Sequence, residues 1–307
     1  MKTKLPLVFL FFILLLSEGQ AQYYTIGVQT GFGIGIPGST YGQYSTLRYS
    51  AAWGHVVDEL NGVSESLGQG IPVDVEFGYA GISGLSFGIS GGYQHGLSTS
   101  TTYGTKYYDD EDLREAIYKG QYFHISPYLG MYKRWQRWGF TVKLYPLFAL
   151  PSFKVTTDVQ LPNESNGFKG DHFHYIREFK GPLSIGFRGS FDIEHIFKSE
   201  RQAIFFGFNY SHLSFSPKTS ELTTYEMNGR DDLSSLTDND RLAEYSNNQE
   251  ITYDFNPDGS INWNQIDDKP YKAYKFDVPF DAFAITIGVR FYFKRKNNAL
   301  KEDKPPL

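Results

Sequence analysis

The sequence predicts an all-β protein: an eight-stranded antiparallel up-and-down transmembrane β-barrel with four long extracellular loops and a short helix in the first loop. Three observations predict this fold. Eight segments alternate large apolar residues with small or polar ones, the connections between them alternate between short and long, and the chain opens with an export signal. Alternation with period two gives a strand one apolar face, which a membrane barrel turns toward lipid.

The closing segment, residues 282–293, shows the alternation most clearly. One face is apolar and ends in aromatic rings, whereas the other is small or polar and carries Arg290. Within the fourth segment Pro127 predicts a bulge, because proline cannot donate to a strand ladder. The eight predicted strands span residues 24–36, 71–80, 85–95, 122–133, 140–150, 183–194, 203–214 and 282–293, with an earlier start near Tyr274 left open for the last.

The connections support an up-and-down order. Those at residues 81–84, 134–138 and 195–202 are short, whereas those at 37–70, 96–121, 151–182 and 215–272 are long. Outer-membrane barrels have short periplasmic turns and long outer loops, so both termini are expected in the periplasm. A soluble barrel with inward apolar faces is the alternative. Aromatic residues near the strand ends favour the membrane barrel and predict interfacial girdles: Tyr24, Tyr79, Tyr93, Tyr122, Trp138 and Tyr292.

The N-terminal residues have the order of a signal peptide. Lys2 and Lys4 precede an apolar run of about a dozen residues and a small-residue cleavage site ending at Ala21, too short a run to span a membrane as a helix. We therefore expect a signal peptide at residues 1–21, a barrel at 22–293 and a disordered periplasmic tail at 294–307.

Composition limits the chemistry. The chain has no cysteine, which excludes disulfides, thiolate metal sites and cysteine nucleophiles. Its net charge of -5 argues against nucleic acid as a partner.

Three features are predicted within the long connections. Apolar residues recur at helical spacing over residues 50–67 and predict an amphipathic helix. An acidic start followed by apolar residues predicts a second short helix over 109–118. The run Asn256-Pro-Asp-Gly259 predicts a hairpin tip.

The signal ending at Gln22, the Tyr/Phe/Gly-rich hairpins and the closing Gly288-Val-Arg-Phe-Tyr-Phe293 resemble the outer-membrane β-barrel domain proteins common in Bacteroidota. The resemblance covers the whole mature chain in pattern rather than in motif. It implies that Phe293, with Val289 and Phe291 in the alternate positions, is the signal read by the barrel-assembly machinery.

Charged residues on the polar faces predict an ion network inside the barrel. An eight-stranded lumen has room only for side chains, so charges there must be paired. The predicted members are Asp74, Glu76, Lys143, Arg188, Asp192, Glu194 and Arg290.

A weaker candidate for chemistry is the pair formed by His212 and Ser214. The two residues share a strand face, as a base and a nucleophile could, and lipid A deacylases carry a His-x-Ser pair. Here Phe215 replaces the asparagine that follows in those enzymes, and the nearest acid along the chain is Glu221.

Candidate cation ligands are incomplete. His172 and His174 form a pair without further ligands, and the acids at 231–232 and 238–240 lack a full calcium-loop pattern, so a solvated acidic surface is preferred. No cofactor is expected.

We expect a monomeric, non-enzymatic outer-membrane barrel whose long loops serve envelope structure or surface binding. The alternatives are a lipid A deacylase-like hydrolase and an accessory barrel of a secretion or uptake complex. Expected partners are outer-membrane lipid and lipopolysaccharide, the assembly machinery, and an extracellular protein or glycan. Aromatic residues suited to such contacts recur in the long connections: Tyr41, Tyr44, Tyr49, Trp53, Tyr103, Tyr107, Tyr108, Tyr225 and Trp263.

Overall fold

The computed structural model describes residues 21–36, 66–81, 84–107, 110–160, 171–246 and 270–294. Most of them are in strands, with a 3-10 helix at Leu233–Ser235 and a one-turn α-helix at Asp238–Arg241. No helix among them is long and apolar enough to cross a membrane. The strands are β1 Ala21–Gly35, β2 Gly70–Gly81, β3 Leu85–Tyr107, β4 Asp110–Trp135, β5 Trp138–Gln160, β6 His172–Lys180, β7 Ser184–Ile196, β8 Gln202–His212, β9 Ser214–Phe215, β10 Thr219–Met227, β11 Arg230–Asp231, β12 Leu242–Ser246, β13 Tyr271–Tyr274, β14 Val278–Pro279 and β15 Ala282–Lys294.

Eight of these strands close into an antiparallel barrel, which confirms the predicted fold class. The order around the barrel is β1, β2, β3, β4, β5, β7, β8, β15 and back to β1. The closing seam pairs the first strand with the last, from Tyr24 opposite Phe293 to Gly35 opposite Ala282. Full closure leaves no free edge within the barrel.

The two ends of the barrel differ. At the short-turn end, β4 meets β5 and β7 meets β8 through brief turns. At the other, which we call the long-strand end, β3, β4 and β5 run on past the barrel. There β5 leaves β7 after the Ala149–Ser184 pair and takes β6 as its new partner from Ser152 onward. β6, β10 and β12 then extend the sheet beyond the barrel.

The long connections are therefore richer in strand than the sequence predicted. The predicted helix over 109–118 is wrong, because β4 covers these residues from Asp110 and pairs with β3 up to Tyr107. Pairing with a neighbouring strand overrides a local helical preference. A register shift between His95 and Ser98 marks where β3 leaves the barrel.

The expected bulge at Pro127 is also absent. The register of β4 with β5 is the same on both sides of it, from Ile125 opposite Phe148 to Leu129 opposite Leu144. The same register sets Pro127 opposite Pro146, so two residues without N–H groups share one position of the ladder. Residues 50–65 of the predicted helix lie outside the described residues, and its last two, Ser66 and Leu67, are described and are not helical. The hairpin tip at 256–259 and residues 295–307 of the predicted tail also lie outside them, and Lys294 is the last residue of β15.

Candidate functional site

The barrel interior holds all seven charged side chains that strand phase assigned to it. Each is buried, with a relative exposure of at most 7 %. They come from four strands of the barrel wall and meet in two connected groups. β2 contributes Asp74 and Glu76, β5 contributes Lys143, β7 contributes Arg188, Asp192 and Glu194, and β15 contributes Arg290.

The larger group is an alternating chain of charges. Arg290 donates to Glu194 Oε2 at 2.5 Å and to Asp192 Oδ2 at 3.0 Å. Lys143 Nζ lies 3.1 Å from the same Asp192 oxygen and 2.7 Å from Glu76 Oε2. Arg290 Nη2 also lies 3.7 Å from Glu76 Oε1. Each cation thus joins at least two carboxylates, and the chain crosses the lumen from β7 through β15 and β5 to β2.

The smaller group centres on Asp74. Arg188 and Gln29 donate to its Oδ2 at 3.0 Å and 2.8 Å, and His124 Nε2 lies 2.7 Å from its Oδ1. Arg188 also donates to Ser90 Oγ at 3.1 Å. Gln29 and His124 lie in the inward phase of their strands but are not among the members predicted from the sequence, which are all Asp, Glu, Lys or Arg.

Aromatic side chains complete the two groups. The guanidinium of Arg188 lies 4.4 Å from the ring centre of Tyr145, and that of Arg290 lies 4.6 Å from the ring centre of Phe205. The hydroxyl of Tyr145 donates to Glu76, and that of Tyr292 donates to Glu194. Burial of a charge is tolerated where its hydrogen-bonding capacity is largely met, and these contacts supply most of that condition. The exception among these charged groups is Arg188 Nε, which has no hydrogen-bond partner among the described protein atoms.

An apolar core closes the barrel at the long-strand end. Phe153 of β5 stacks on Phe179 of β6 with ring centres 4.2 Å apart. Phe280 lies between β14 and β15, yet its ring meets Tyr122 of β4 on the opposite side of the barrel from β15, so this segment crosses the mouth. The other fully buried members of this core include Leu147, Ala149, Leu213, Phe215 and Val278.

At the short-turn end, Ile196, Ala203 and Tyr292 form a second, smaller apolar cluster. Between it and the charged chain lies a small cavity lined in part by Ser86 and Thr141, whose hydroxyls have no partner among the described protein atoms. Along the axis, the apolar core of the long-strand end, the ion network and this three-residue cluster therefore follow one another.

The outer surface of the barrel is apolar all the way round. Every wall strand exposes large aliphatic or aromatic side chains, and Leu144 of β5 reaches 67 % exposure. A soluble monomer rarely exposes so continuous an apolar surface. One representative from each wall strand is Phe32, Phe77, Ile89, Ile125, Leu144, Ile185, Phe206 and Ile287.

Four of the six predicted girdle aromatics lie on the outside. Tyr24 and Trp138 are exposed at the short-turn end, Tyr79 is half-buried beside Tyr24, and Tyr93 is half-buried near the long-strand end. Tyr122 and Tyr292 are corrections, because both are buried inside the barrel. Both residues fall on the polar face of the sequence alternation, and that position already indicates an inward side chain.

Strand β5 reverses its polarity along its length. Over residues 140–150 its outward side chains are apolar and its inward ones include Thr141, Lys143 and Tyr145. From Ser152 onward its outward side chains are polar, whereas Phe153 and Val155 point into the apolar core. The outward face changes between Leu150 and Ser152, together with the exchange of partner from β7 to β6, whereas the inward face is already apolar at Leu147 and Ala149.

His212 and Ser214 lie at the long-strand end of the wall. Both are exposed, and no hydrogen bond joins them in the part of the chain that the structure describes. His212 Nδ1 lies 2.9 Å from Asp281 Oδ1. The acid beside His212 is thus Asp281 rather than Glu221, which lies on β10. Asp281 is distant in sequence, and only the pairing of β8 with β15 brings it close.

The candidate cation ligands serve mainly local structure. His174 Nδ1 and His172 Nε2 lie 2.8 Å and 3.4 Å from one oxygen of Asp158. Asp231 accepts the N–H of Leu233, and Asp240 forms a capping box with Thr237. Within the described ranges no group of three or more such ligands is placed to hold a metal ion.

The proposed assembly residues share one outward face of β15. Val289, Phe291 and Phe293 are exposed by 44 %, 36 % and 51 %. Among the loop aromatics, Tyr225 lies on β10 with its ring 6.3 Å from that of Phe173. Tyr103 and Tyr107 lie on β3, and the other six are outside the described residues.

No family model matches the chain, and no curated protein matches it. Among solved structures, a major outer membrane protein from Thermus thermophilus aligns over 88 % of this chain and 99 % of its own, with a TM-score of 0.32 and 8 % identity. The description of the chain as a closed eight-stranded barrel therefore rests on its own strand register.

Proposed function

We propose that this chain is an integral outer-membrane protein without enzymatic activity, whose sealed barrel anchors a β-sheet at the cell surface. The observation that carries the proposal is the reversal of polarity along β5. A strand that is apolar outside and polar inside suits lipid, and the opposite arrangement suits water. One continuous strand has both, so the bilayer boundary belongs at residues 150–152.

The height of the apolar belt agrees with this placement. Outward apolar residues on β5 extend from Phe140 to Leu150. Ten residue steps of about 3.3 Å give about 33 Å along the strand. With a tilt of about 40°, this length corresponds to about 25 Å along the barrel axis, the usual height of the apolar band of such barrels.

In this proposal the long-strand end faces the exterior and both termini face the periplasm. Short turns are periplasmic in barrels of this type. The extended sheet built from β3, β4, β5, β6, β10 and β12 then stands above the outer leaflet. Its inner face is occupied by the apolar core, which leaves its outer face for contact with a protein, a glycan or lipopolysaccharide.

Two measurements test the placement. The folded chain should migrate differently on a gel before and after boiling, and a protease added to intact cells should cut within the extended sheet but not at the turn 136–137. Identical migration of boiled and unboiled samples would count against a closed membrane barrel. Cleavage at the turn in intact cells would reverse the orientation.

A hydrolase is the second candidate, favoured by the His212–Asp281 pair beside the apolar surface. An acid that orients a histidine is one part of a nucleophilic site. The acyl pattern of lipid A from cells with the protein, without it, and with Ser214→Ala decides between the two. A pattern that changes with the protein and reverts with Ser214→Ala would replace the binding role by catalysis.

We also propose the assembly machinery and a surface ligand as partners of the exposed faces of the protein. The outward aromatic face at Val289, Phe291 and Phe293 is what the assembly machinery would read, and Phe293→Ser should reduce the amount of folded barrel in the outer membrane. Co-purification from mild detergent tests for a surface ligand. Recovery of secretion or uptake components instead would favour the role of an accessory barrel.

A further inference from the structure

We propose that Lys119, Lys154 and Lys180 form a binding site for the phosphate of a lipid headgroup in the leaflet around the long-strand end. The inference rests on the membrane placement proposed above. It concerns the outward face of β4, β5 and β6, immediately past the apolar belt.

The strand register arranges this face in rows. The last apolar row contains Phe123 and Leu150, which are paired across β4 and β5. The row above it contains Gln121, Ser152 and Lys180. Rows on one face are two residues, or about 7 Å, apart along the strands. Lys180 therefore lies at the level of the headgroups, which form a layer of about 5–8 Å on each side of the hydrocarbon.

The next row places two like charges directly opposite each other. Lys119 pairs in register with Lys154, and Lys154 pairs with Glu178. Residues opposite each other on one face have Cβ atoms about 5 Å apart, and like charges at that distance are destabilising. An anion between the two ammonium groups would remove that cost.

The protein itself supplies only part of the countercharge. Lys154 Nζ lies 3.0 Å from Glu178 Oε1 in a pair that is 45 % and 33 % exposed. Neither Lys119 nor Lys180 forms an ion pair within the described residues. On β4, β5 and β6 this face thus has three ammonium groups and one carboxylate. Glu221 of β10 lies opposite Glu178, on the side away from Lys154 and Lys119. The lysine side of the row keeps a net positive charge that a phosphate complements.

The basic cluster lies on one side of the barrel. At the same level the described residues of β1, β2, β7, β8 and β15 contain no lysine or arginine. Below the lysines, Phe123 and Leu150 are 62 % and 56 % exposed and would pack against acyl chains. A ligand with a phosphate above and acyl chains below matches both parts, which a free phosphate does not.

Native mass spectrometry of the full chain in detergent micelles tests the site. The probes are a phosphatidic acid and the diacylglycerol with the same acyl chains, which differ only in the phosphate. We expect one retained phosphatidic acid and no retained diacylglycerol. Charge removal in Lys119→Gln/Lys154→Gln/Lys180→Gln should lower the affinity for phosphatidic acid about a hundredfold, since each of the three lysines contributes about 1 kcal/mol near an anionic headgroup.

The matched control removes three exposed charges at the opposite end, in Lys133→Gln/Lys198→Gln/Arg201→Gln. It should retain phosphatidic acid as the unchanged protein does. Equal retention by both variants, or displacement of the lipid by an equal concentration of inorganic phosphate, would overturn the inference. A gel of boiled and unboiled samples separates failure of the membrane-barrel proposal from failure of the lipid-site proposal. If the unchanged protein shows no shift on boiling, the membrane barrel itself is contradicted. If it shifts but does not retain phosphatidic acid, only the lipid site is contradicted.

Discussion

Lys143 shows how a charge can be stable inside the barrel. Its ammonium group is almost completely buried and lies within 3.1 Å of carboxylates on two other strands. Removal of a charge from water costs several kcal/mol, so the lysine is stable only while both carboxylates are present. The carboxylates in turn depend on it and on Arg290.

This dependence predicts a difference between single and paired substitutions. Lys143→Met leaves Glu76 and Asp192 with less countercharge and should destabilise the barrel by about 3–5 kcal/mol. Lys143→Met/Glu76→Gln removes one charge of each sign and should recover part of that loss. The measurement is the urea concentration at which the unboiled gel band disappears. A double variant weaker than the single one would contradict the pairing described here.

Interior glycines make room for these charged groups, and two of them give a matched test. A Cβ at Gly92 would collide with Asp74 Oδ1 and lie 2.6 Å from the carbonyl oxygen of Val73, whereas a Cβ at Gly27 would meet nothing closer than 3.7 Å. Gly92→Ala should therefore cost about 1–3 kcal/mol by overpacking. Gly27→Ala should leave the same urea midpoint unchanged within error. Equal midpoints for the two variants would show that Asp74 has freedom to move.

Strand phase alone placed all seven charged residues inside the barrel, because a side chain in a strand can point only in or out. It could not show which charges pair. Asp74 and Arg188 are 114 residues apart in sequence and meet only because the barrel closes. The same holds for Asp281 beside His212, where the sequence suggested the nearer but incorrect Glu221.

At the scale of the element, strand ends were the least predictable feature. The segment predicted over 140–150 is the part of β5 whose outward side chains are apolar, and the strand continues to Gln160. The strand was predicted to end where its outward residues became polar. Alternation continues beyond that point with inside and outside exchanged, since Phe153, Val155 and Val159 are buried. A change of surroundings was thus mistaken for the end of the strand.

The two halves of β5 should respond differently to the same charge. Leu144→Arg puts a cation in the middle of the apolar belt and should cost about 2–4 kcal/mol. Thr156→Arg has the same outward phase beyond the belt and should change stability by no more than about 0.5 kcal/mol. Both effects are read from the folded fraction after refolding into lipid vesicles. Equal losses at the two positions would place the bilayer boundary elsewhere.

For the whole molecule, the important feature is that side chains fill the axis of the barrel. The apolar core covers the long-strand end, the ion network fills the middle, and a small cluster lies at the short-turn end. Eight strands leave space for side chains but not for an aqueous channel. The ion network and the short-turn cluster are also in direct contact, because Tyr292 belongs to the cluster and donates a hydrogen bond to Glu194 in the network.

The protein should consequently insert into planar bilayers without conducting ions. In about 1 M salt we expect no stepwise current above the lipid background, because the network has no continuous water path and salt screens buried pairs much less than exposed ones. Insertion is checked independently by protease protection of the same vesicles before fusion. Reproducible current steps from protein shown to be inserted and folded would contradict the sealed interior, and would make transport rather than surface contact the role to pursue.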